Sequence, residues 1–121
     1  MPKRLSAERG AMRKASFRVL WTETAVRDLE GIVSYVAAEA PINAERILAR
    51  LKSKAESLEV TPERGRLVPE LLRHGLAVWR ELIVRPYRIM YRIDGRTVYV
   101  LAVLDFRRDL EDILLERVVR V

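Results

Sequence analysis

The pattern of apolar and polar positions divides this chain into a helical first half and a strand-rich second half. In the first half, apolar residues recur every three or four positions, as they do on one face of an amphipathic helix. This spacing predicts one helix over Glu23–Glu39, with Thr22 as its N-cap, and a second over about Asn43–Glu59. Pro41 separates them, so we expect the two helices to fold back on each other as an antiparallel hairpin.

The second half contains a predicted β-hairpin. Two runs rich in Tyr, Ile and Val, Tyr87–Ile93 and Arg96–Leu104, flank Asp94-Gly95, which is typical of a two-residue hairpin loop. With that loop, the opposing pairs are Ile93 with Arg96, Tyr91 with Val98, Ile89 with Val100, and Tyr87 with Ala102. Because strand side chains alternate, these pairs share one apolar face, which we predict to be the core. The opposite face is half cationic and is predicted to be available for binding.

The remaining elements complete the predicted sheet. Phe17–Trp21 and Val78–Val84 read as strands, Val68–Gly75 as a short turn-like piece, and Leu110–Val118 as a short C-terminal helix. The last strand is apolar on both faces and should be central. Helices grouped first and antiparallel strands afterwards predict an α+β fold. In it, the N-terminal strand and helical hairpin pack on a roughly four-stranded, mainly antiparallel sheet.

Length and charge limit the function classes. The 121 residues suit one domain, over residues 17–121, preceded by a basic extension of residues 1–16 that is predicted to be disordered. That extension holds five basic residues and one acid, so it supplies +4 of the net charge of +6. We expect deletion of residues 1–14 to leave the melting temperature nearly unchanged. No apolar run is long enough for a membrane span, and the N-terminus lacks a secretory signal pattern, so a cytoplasmic protein is expected.

The absence of cysteine excludes disulfides and thiolate chemistry, and one histidine, His74, makes a metal site unexpected. No cofactor motif is present, and His74 lies in a predicted solvated loop. The remaining candidates are arginines, whose planar fork of donors suits phosphate or carboxylate. The sheet segment carries the following cluster: Arg80, Arg85, Arg88, Arg92, Arg96, Arg107 and Arg108.

Four residues of this region are candidates for catalysis. Arg88 lies in a strand interior on the non-core face, where it could bind an anion or be an ordinary surface side chain. Glu70, after Pro69, could act as a base or be a surface acid. Arg107 and Arg108 could clamp an anion or pair with neighbouring aspartates. The candidate binding residues are Arg80, Arg85, Arg92 and Tyr99.

The segment WRELIVRPYRIMYRI, followed by VYVLAVLDFRRDL, resembles the RelE/ParE superfamily of toxins from type II toxin–antitoxin modules. The resemblance extends from about residue 17 to residue 118. It implies the same α+β fold, a cytoplasmic toxin, and a cognate antitoxin that wraps and neutralises it in a toxin–antitoxin hetero-oligomer. RelE-like members cut messenger RNA on the ribosome, whereas ParE-like members inhibit DNA gyrase.

By this resemblance, Arg88 and Arg107 match arginines of the RelE-like site, and Glu70 matches a glutamate that one branch uses. Other RelE-like features are missing: Ile113 stands where a tyrosine is expected, and Arg80 is the nearest cation to an absent lysine pair. The nuclease set is therefore incomplete, which favours ParE-like binding to gyrase. The alternatives are a ribosome-dependent endoribonuclease and a non-toxic binding module.

Overall fold

The computed structural model describes residues 17–106 and 110–120. The predictions for residues 1–16 and for Arg107 and Arg108 lie outside this described part. The elements in chain order are β1 (Arg18–Trp21), α1 (Glu23–Ala37), α2 (Pro41–Glu56), a 3₁₀ turn (Ser57–Glu59), β2 (Arg66–Leu67), α3 (Pro69–Leu72), β3 (Trp79–Val84), β4 (Tyr87–Asp94), β5 (Thr97–Asp105) and α4 (Leu110–Arg120).

The predicted α+β architecture is confirmed, with one more strand than expected. The sheet has five strands in the order β1-β5-β4-β3-β2, in which β1 runs parallel to β5 and the other neighbours are antiparallel. The additional strand is β2, whose two residues pair with β3. β5 lies between β1 and β4, as its apolar character on both faces predicted.

The helical hairpin forms as predicted, with small differences at its ends. Thr22 caps α1, since its side-chain oxygen accepts a hydrogen bond from the Ala25 backbone N–H at 3.2 Å. Pro41 does not merely separate the helices. It occupies the first turn of α2, where a missing N–H is tolerated.

The predicted hairpin register is wrong by one loop position. Asp94 pairs with Thr97, so the loop is Gly95-Arg96 rather than Asp94-Gly95. Gly95 has φ +61°, and no non-glycine residue in the described part has positive φ. A type II′ turn needs positive φ only at its first central position, whereas the expected type I′ turn needs it at both. The glycine therefore moves to the first position.

A β-bulge at Leu101 changes which side chains of β5 face the helical hairpin. Tyr91 pairs with Val100 but Met90 pairs with Ala102, so Leu101 is an extra residue on β5. The prediction that Ala102 shares a face with Tyr87 is therefore wrong. Beyond the bulge, Val103 faces the helical hairpin, and Ala102 lies on the opposite side of the sheet.

Both faces of the sheet contribute to cores. The first face packs on α1 and α2 and includes the buried Tyr87, Ile89 and Tyr91, as predicted. The second face was expected to be open, but α3 and α4 cover half of it. We call the part beneath these helices the covered half; its side chains are Glu81, Arg88, Met90, Ala102 and Leu104, packed with Leu71 and Leu114. We call the rest the open half; its side chains are Arg18, Leu20, Arg92 and Tyr99, with the buried Trp79 at the border between the two halves.

Asp28 on α1 is not a solvated surface acid. β1 ends at Trp21, opposite Val100, so the next part of the β5 edge has no partner strand there. The Asp28 carboxylate accepts a hydrogen bond from the Val103 backbone N–H at 3.0 Å. Arg117 on α4 donates two hydrogen bonds to the same carboxylate, at 2.7 and 2.9 Å. One acid thus joins α1, β5 and α4.

Candidate functional site

Arg88 is the candidate that both its strand position and the resemblance select, and it lies in a buried cluster of charged side chains. Its Nε donates to Glu81 at 2.5 Å, and its two terminal nitrogens donate to the two Glu70 oxygens at 2.7 and 2.8 Å. The other Glu81 oxygen accepts from Arg66 Nε at 2.6 Å. The result is an alternating chain of two arginines and two glutamates, with no net charge.

The strand register and the start of α3 assemble this cluster. Ile83 is directly opposite Arg88, which brings Glu81, two positions along the same face of β3, within reach of the guanidinium. Pro69 starts α3 and places Glu70 in its first turn, above the sheet. Arg88 is 6% exposed and Glu81 2% exposed, so the cluster is part of the core rather than a surface patch.

The electrostatics of the cluster fix its charge state at neutral pH. The hydrogen bond from Arg88 outweighs burial and lowers the pKa of Glu70 from 4.5 to about 2. Burial alone would lower the pKa of Arg88, but the hydrogen bonds and charges of Glu70 and Glu81 outweigh it, and the pKa is raised. Both groups are therefore held in the charged form.

Phe106 connects the cluster to a second candidate, Arg85. The Arg85 guanidinium lies 5.2 Å from the centre of the Phe106 ring, and the Arg88 guanidinium lies 5.4 Å from it. Arg85 itself is exposed. The structure thus brings Arg85, Arg88 and Glu70 into one region, at the end of the sheet from which the chain continues toward Arg107 and Arg108.

Arg80 does not belong to this region, although it is close to Arg88 in sequence. It lies on the first face, opposite Tyr91, and donates to the Gly65 carbonyl at 2.7 Å. The Tyr91 hydroxyl accepts from the Gly65 N–H at 2.9 Å and donates to the Pro62 carbonyl at 2.7 Å. Arg80 and Tyr91 therefore hold the loop before β2, and Arg80 has a structural role in this chain.

The other two candidate binding residues, Arg92 and Tyr99, are directly opposite each other on the open half. The Arg92 guanidinium lies over the Trp79 ring, 5.6 Å from its centre. Tyr99 is 37% exposed. These two residues line a small cavity of about 220 Å³ together with Thr22, Trp79, Asp94 and Leu101.

His74 is not a free loop histidine. Its Nε2 lies 2.6 Å from one carboxylate oxygen of Glu111, and the other oxygen of Glu111 accepts a hydrogen bond from Arg73 at 3.3 Å. Glu111 is in the first turn of α4, so this contact ties the end of α3 to the beginning of α4. Arg117 fixes the same helix further along, through Asp28.

The most important residue that sequence reasoning missed is Glu81. It is the one acid in the apolar strand WRELIV, and that isolation is a signal for a buried, paired carboxylate. The partners of Glu81 could not be read in the same way, since they come from β2 and β4. Among residues 17–106 and 110–120, no group of three or more acidic, histidine or cysteine side chains is arranged to hold a metal ion. Within the same residues, no helix has the length and apolar character needed to cross a membrane.

Comparisons with known proteins show similarity to toxins of type II toxin–antitoxin systems. A family model described as "ParE toxin of type II toxin-antitoxin system, parDE" matches residues 19–110. Toxin RelE2 of Caulobacter vibrioides is 36% identical over 86 residues, which cover 71% of this chain and 91% of the relative. A chain of the toxin–antitoxin complex RelBE2 from Mycobacterium tuberculosis is 32% identical, with a TM-score of 0.56, covering 74% of this chain and 98% of that one.

A chain of the chromosomal ParDE toxin–antitoxin system from P. aeruginosa shares the fold. Its TM-score is 0.60 at 18% identity, and the match covers 75% of this chain and 97% of that chain.

Proposed function

The chain belongs to the ParE toxin family of type II toxin–antitoxin systems, within the RelE/ParE superfamily, and we propose that it arrests growth by binding DNA gyrase. In this proposal a cognate antitoxin binds the toxin and neutralises it. The observation that carries the choice of mechanism is the state of Arg88, whose guanidinium is occupied by Glu70 and Glu81.

A nuclease would need these groups to be free. Cleavage of RNA by attack of the 2′-hydroxyl builds negative charge on a pentacoordinate phosphorane, and preorganised donors aimed at that charge supply much of the rate enhancement. Here the donors of Arg88 are aimed at carboxylates of the same chain. A general base works best with a pKa near the working pH. Glu70, with its pKa lowered to about 2, is a weak base at neutral pH.

A toxin that acts by binding does not require a free Arg88. The cluster would then stabilise the fold and set the shape of the surface above it, while exposed side chains make the contacts. This agrees with the incomplete set of RelE-like residues in the sequence. Arg85 is exposed beside Phe106 and is one such contact residue in this proposal.

The second candidate is a ribosome-dependent messenger RNA endoribonuclease, and one observation favours it. The structure brings Glu70 and Arg88 together, the two residues that the resemblance pairs as base and phosphate ligand. A phosphate that displaced Glu70 would meet the Arg88 guanidinium. In that case the ion pair seen here would be the resting state of a site that opens on the ribosome.

Two purified assays distinguish the candidates. We expect the protein to inhibit supercoiling by gyrase, and to leave reporter messages intact in a reconstituted translation reaction. The informative variant is Glu70→Gln, with the exposed Glu30→Gln as its control. For a nuclease, loss of the base lowers the cleavage rate about 10²–10⁴-fold. For a gyrase inhibitor, both variants inhibit as the parent does, provided that their melting curves show a folded protein.

The contradicting result is defined in the same experiment. Cleavage at codons in the ribosomal A site, lost in Glu70→Gln but retained in Glu30→Gln, would replace gyrase binding with the nuclease. In cells without the antitoxin, the same two mechanisms separate as DNA-damage signalling with continued early translation, or as an immediate stop of translation.

A further inference from the structure

The open half of the second face contains a row of side chains that crosses four strands. Leu20 on β1 pairs with Tyr99 on β5, Tyr99 with Arg92 on β4, and Arg92 with Trp79 on β3. Leu20 is 38% and Tyr99 37% exposed, whereas Trp79 is 3% exposed. One end of the row is therefore formed by the partly exposed Leu20 and Tyr99, and the other end by the buried Trp79, at the edge of the second core. Arg92 lies between Tyr99 and Trp79.

Arg92 differs from Arg88, on the same face of β4, in that its Nε has no acceptor among the described residues. Within residues 17–106 and 110–120, its Nε is buried without a hydrogen-bond partner, and its contact is the face of Trp79. Arg88 and Arg117, by contrast, donate to carboxylates. A guanidinium carries five N–H donors, and a buried donor without an acceptor is unfavourable. Arg92 is thus prepared to accept an anion from outside the chain.

The cavity beside Arg92 has the size for one side chain. Its volume of about 220 Å³ is below the range of roughly 300–1,000 Å³ that is usual for small-molecule sites. Its lining includes the apolar Trp79 and Leu101 beside Arg92, Tyr99 and Thr22. A carboxylate on a short apolar stem matches this combination, because the stem can lie against the apolar lining while the oxygens meet the guanidinium.

We propose that the open half is a docking surface for the antitoxin, in which Arg92 binds an acidic side chain and Leu20 and Tyr99 contact an apolar neighbour of that acid. This inference rests on the proposed function, since it takes the antitoxin as the partner. It adds the anchor residue and the chemistry of the segment that the anchor binds. Charge complementarity supports it, because two cations, Arg18 and Arg92, lie on this side of the sheet.

Single-stranded nucleic acid fits this surface less well. Base stacking needs an open aromatic face, and the Trp79 ring is buried beneath the Arg92 guanidinium. The exposed Leu20 also suits the apolar part of a protein interface better than a phosphate contact.

The test measures the affinity of this toxin for its antitoxin, the two being produced together, separated and recombined. The chain has two tryptophans, so the Trp21→Phe variant leaves Trp79 as the reporter of binding at Arg92. We expect binding to change Trp79 emission, and Arg92→Gln to weaken binding roughly tenfold to a hundredfold, as for loss of a charged hydrogen bond. Arg92→Lys should recover only part of this, because it keeps the charge but loses the fork.

Arg46→Gln is the matched control. It removes the same charge from an exposed arginine on α2, on the opposite side of the sheet, and it should change the affinity less than about twofold. Replacing the acids of the antitoxin one at a time should identify one acid whose loss has no further effect in Arg92→Gln.

The outcomes separate this inference from the proposed function. If the unmodified toxin forms no complex with the antitoxin, the proposed function itself is wrong. If the complex forms but Arg92→Gln and Arg46→Gln bind equally well, the docking surface is wrong and the function stands. Binding of a single-stranded oligonucleotide that depends on Arg92, with antitoxin affinity unchanged, would likewise overturn the docking surface. Melting curves of each variant confirm that folded proteins are being compared.

Discussion

The two halves of the second sheet face carry similar residues in opposite states. Arg88 and Arg92 are four residues apart on the same face of β4. In the covered half, Arg88 is surrounded by two carboxylates, an aromatic ring and two helices. In the open half, Arg92 lies on an aromatic ring and, within the described residues, has no carboxylate partner. The helices α3 and α4 make the difference, because they cover one half and stop short of the other.

This difference shows that position on a strand does not decide what an arginine does. Sequence periodicity places both side chains on the same face, and both could equally bind an anion. What separates them is whether the chain supplies the anion itself. A buried guanidinium with internal partners stabilises the fold, whereas one without them is available to a partner molecule. The predictions below test this division, beginning with the largest effect.

Replacing Arg88 by alanine should produce the largest loss of stability. Glu81 would remain buried with only Arg66 as a partner, and Glu70 would lose both of its hydrogen bonds. Breaking a buried ion pair in this way costs about 3–5 kcal/mol. Urea denaturation measures the change. The double variant Arg88→Met/Glu81→Leu should recover most of the loss, since apolar residues of similar size replace the pair. If Arg88→Ala unfolds like the parent, the cluster does not stabilise the covered half.

Shortening Leu114 to alanine should loosen the cover itself. Leu114 is 2% exposed and packs α4 onto the second face. Removing a buried leucine side chain costs about 2–5 kcal/mol, depending on how far the cavity collapses. Amide hydrogen exchange should then become faster at Glu81 and Arg88 and stay unchanged at Tyr99. Equal acceleration in both halves would show that α4 stabilises the whole sheet rather than the covered half.

Acidification should weaken the covered half through Glu70. Its pKa is lowered from 4.5 to about 2 in the folded protein, so the unfolded chain binds the proton more tightly. The stabilisation is therefore complete above about pH 5 and is lost as the pH falls toward about 2. The shift corresponds to about 3 kcal/mol, and residual solvent exposure reduces our expectation to about 2 kcal/mol. Denaturation midpoints between these pH values should fall less steeply in Glu70→Gln than in the parent protein.

Replacing Arg92 by methionine should change stability least. The substitution removes a donor that has no acceptor among the described residues and keeps an apolar stem over Trp79. We expect the free energy of unfolding to change by less than about 1 kcal/mol, and an increase would be more informative than a decrease. Urea denaturation of Arg92→Met and of Arg88→Ala, measured side by side, provides the comparison. A loss as large as that of Arg88→Ala would mean that the open half depends on its arginine for folding.

Much of the fold was predictable because the periodic patterns are long. The 3.6-residue spacing in α1 and α2 and the alternation in β4 each extend over several turns or pairs, so single exceptions do not hide them. The bulge at Leu101 gave no such signal. Residues 98–104 are apolar throughout, and an extra residue in an uninterrupted apolar run leaves the pattern unchanged. The face of each residue beyond it was therefore assigned incorrectly.

The residues of the candidate site could be predicted, but their hydrogen-bond partners could not. Arg88 and Glu70 could be chosen from residue type and position, and the structure places them in contact. Glu81 connects them to Arg66, and that connection depends on the pairing of three strands that are distant in sequence. Arg92 shows the same limit, since its lack of an acceptor depends on where α3 and α4 end in space rather than on any local motif.

The carboxylate of Asp28 has a consequence for solubility as well as for stability. An unpaired strand edge offers N–H and C=O groups to any other extended chain, and such edges promote edge-to-edge aggregation. β1 leaves part of the β5 edge without a partner strand, and Asp28 occupies the Val103 N–H there while Arg117 holds the carboxylate in place. A charged side chain on a helix thus occupies the N–H group that a neighbouring strand would otherwise bind. It keeps β5, the most apolar strand of the sheet, from pairing with the same strand of a neighbouring molecule.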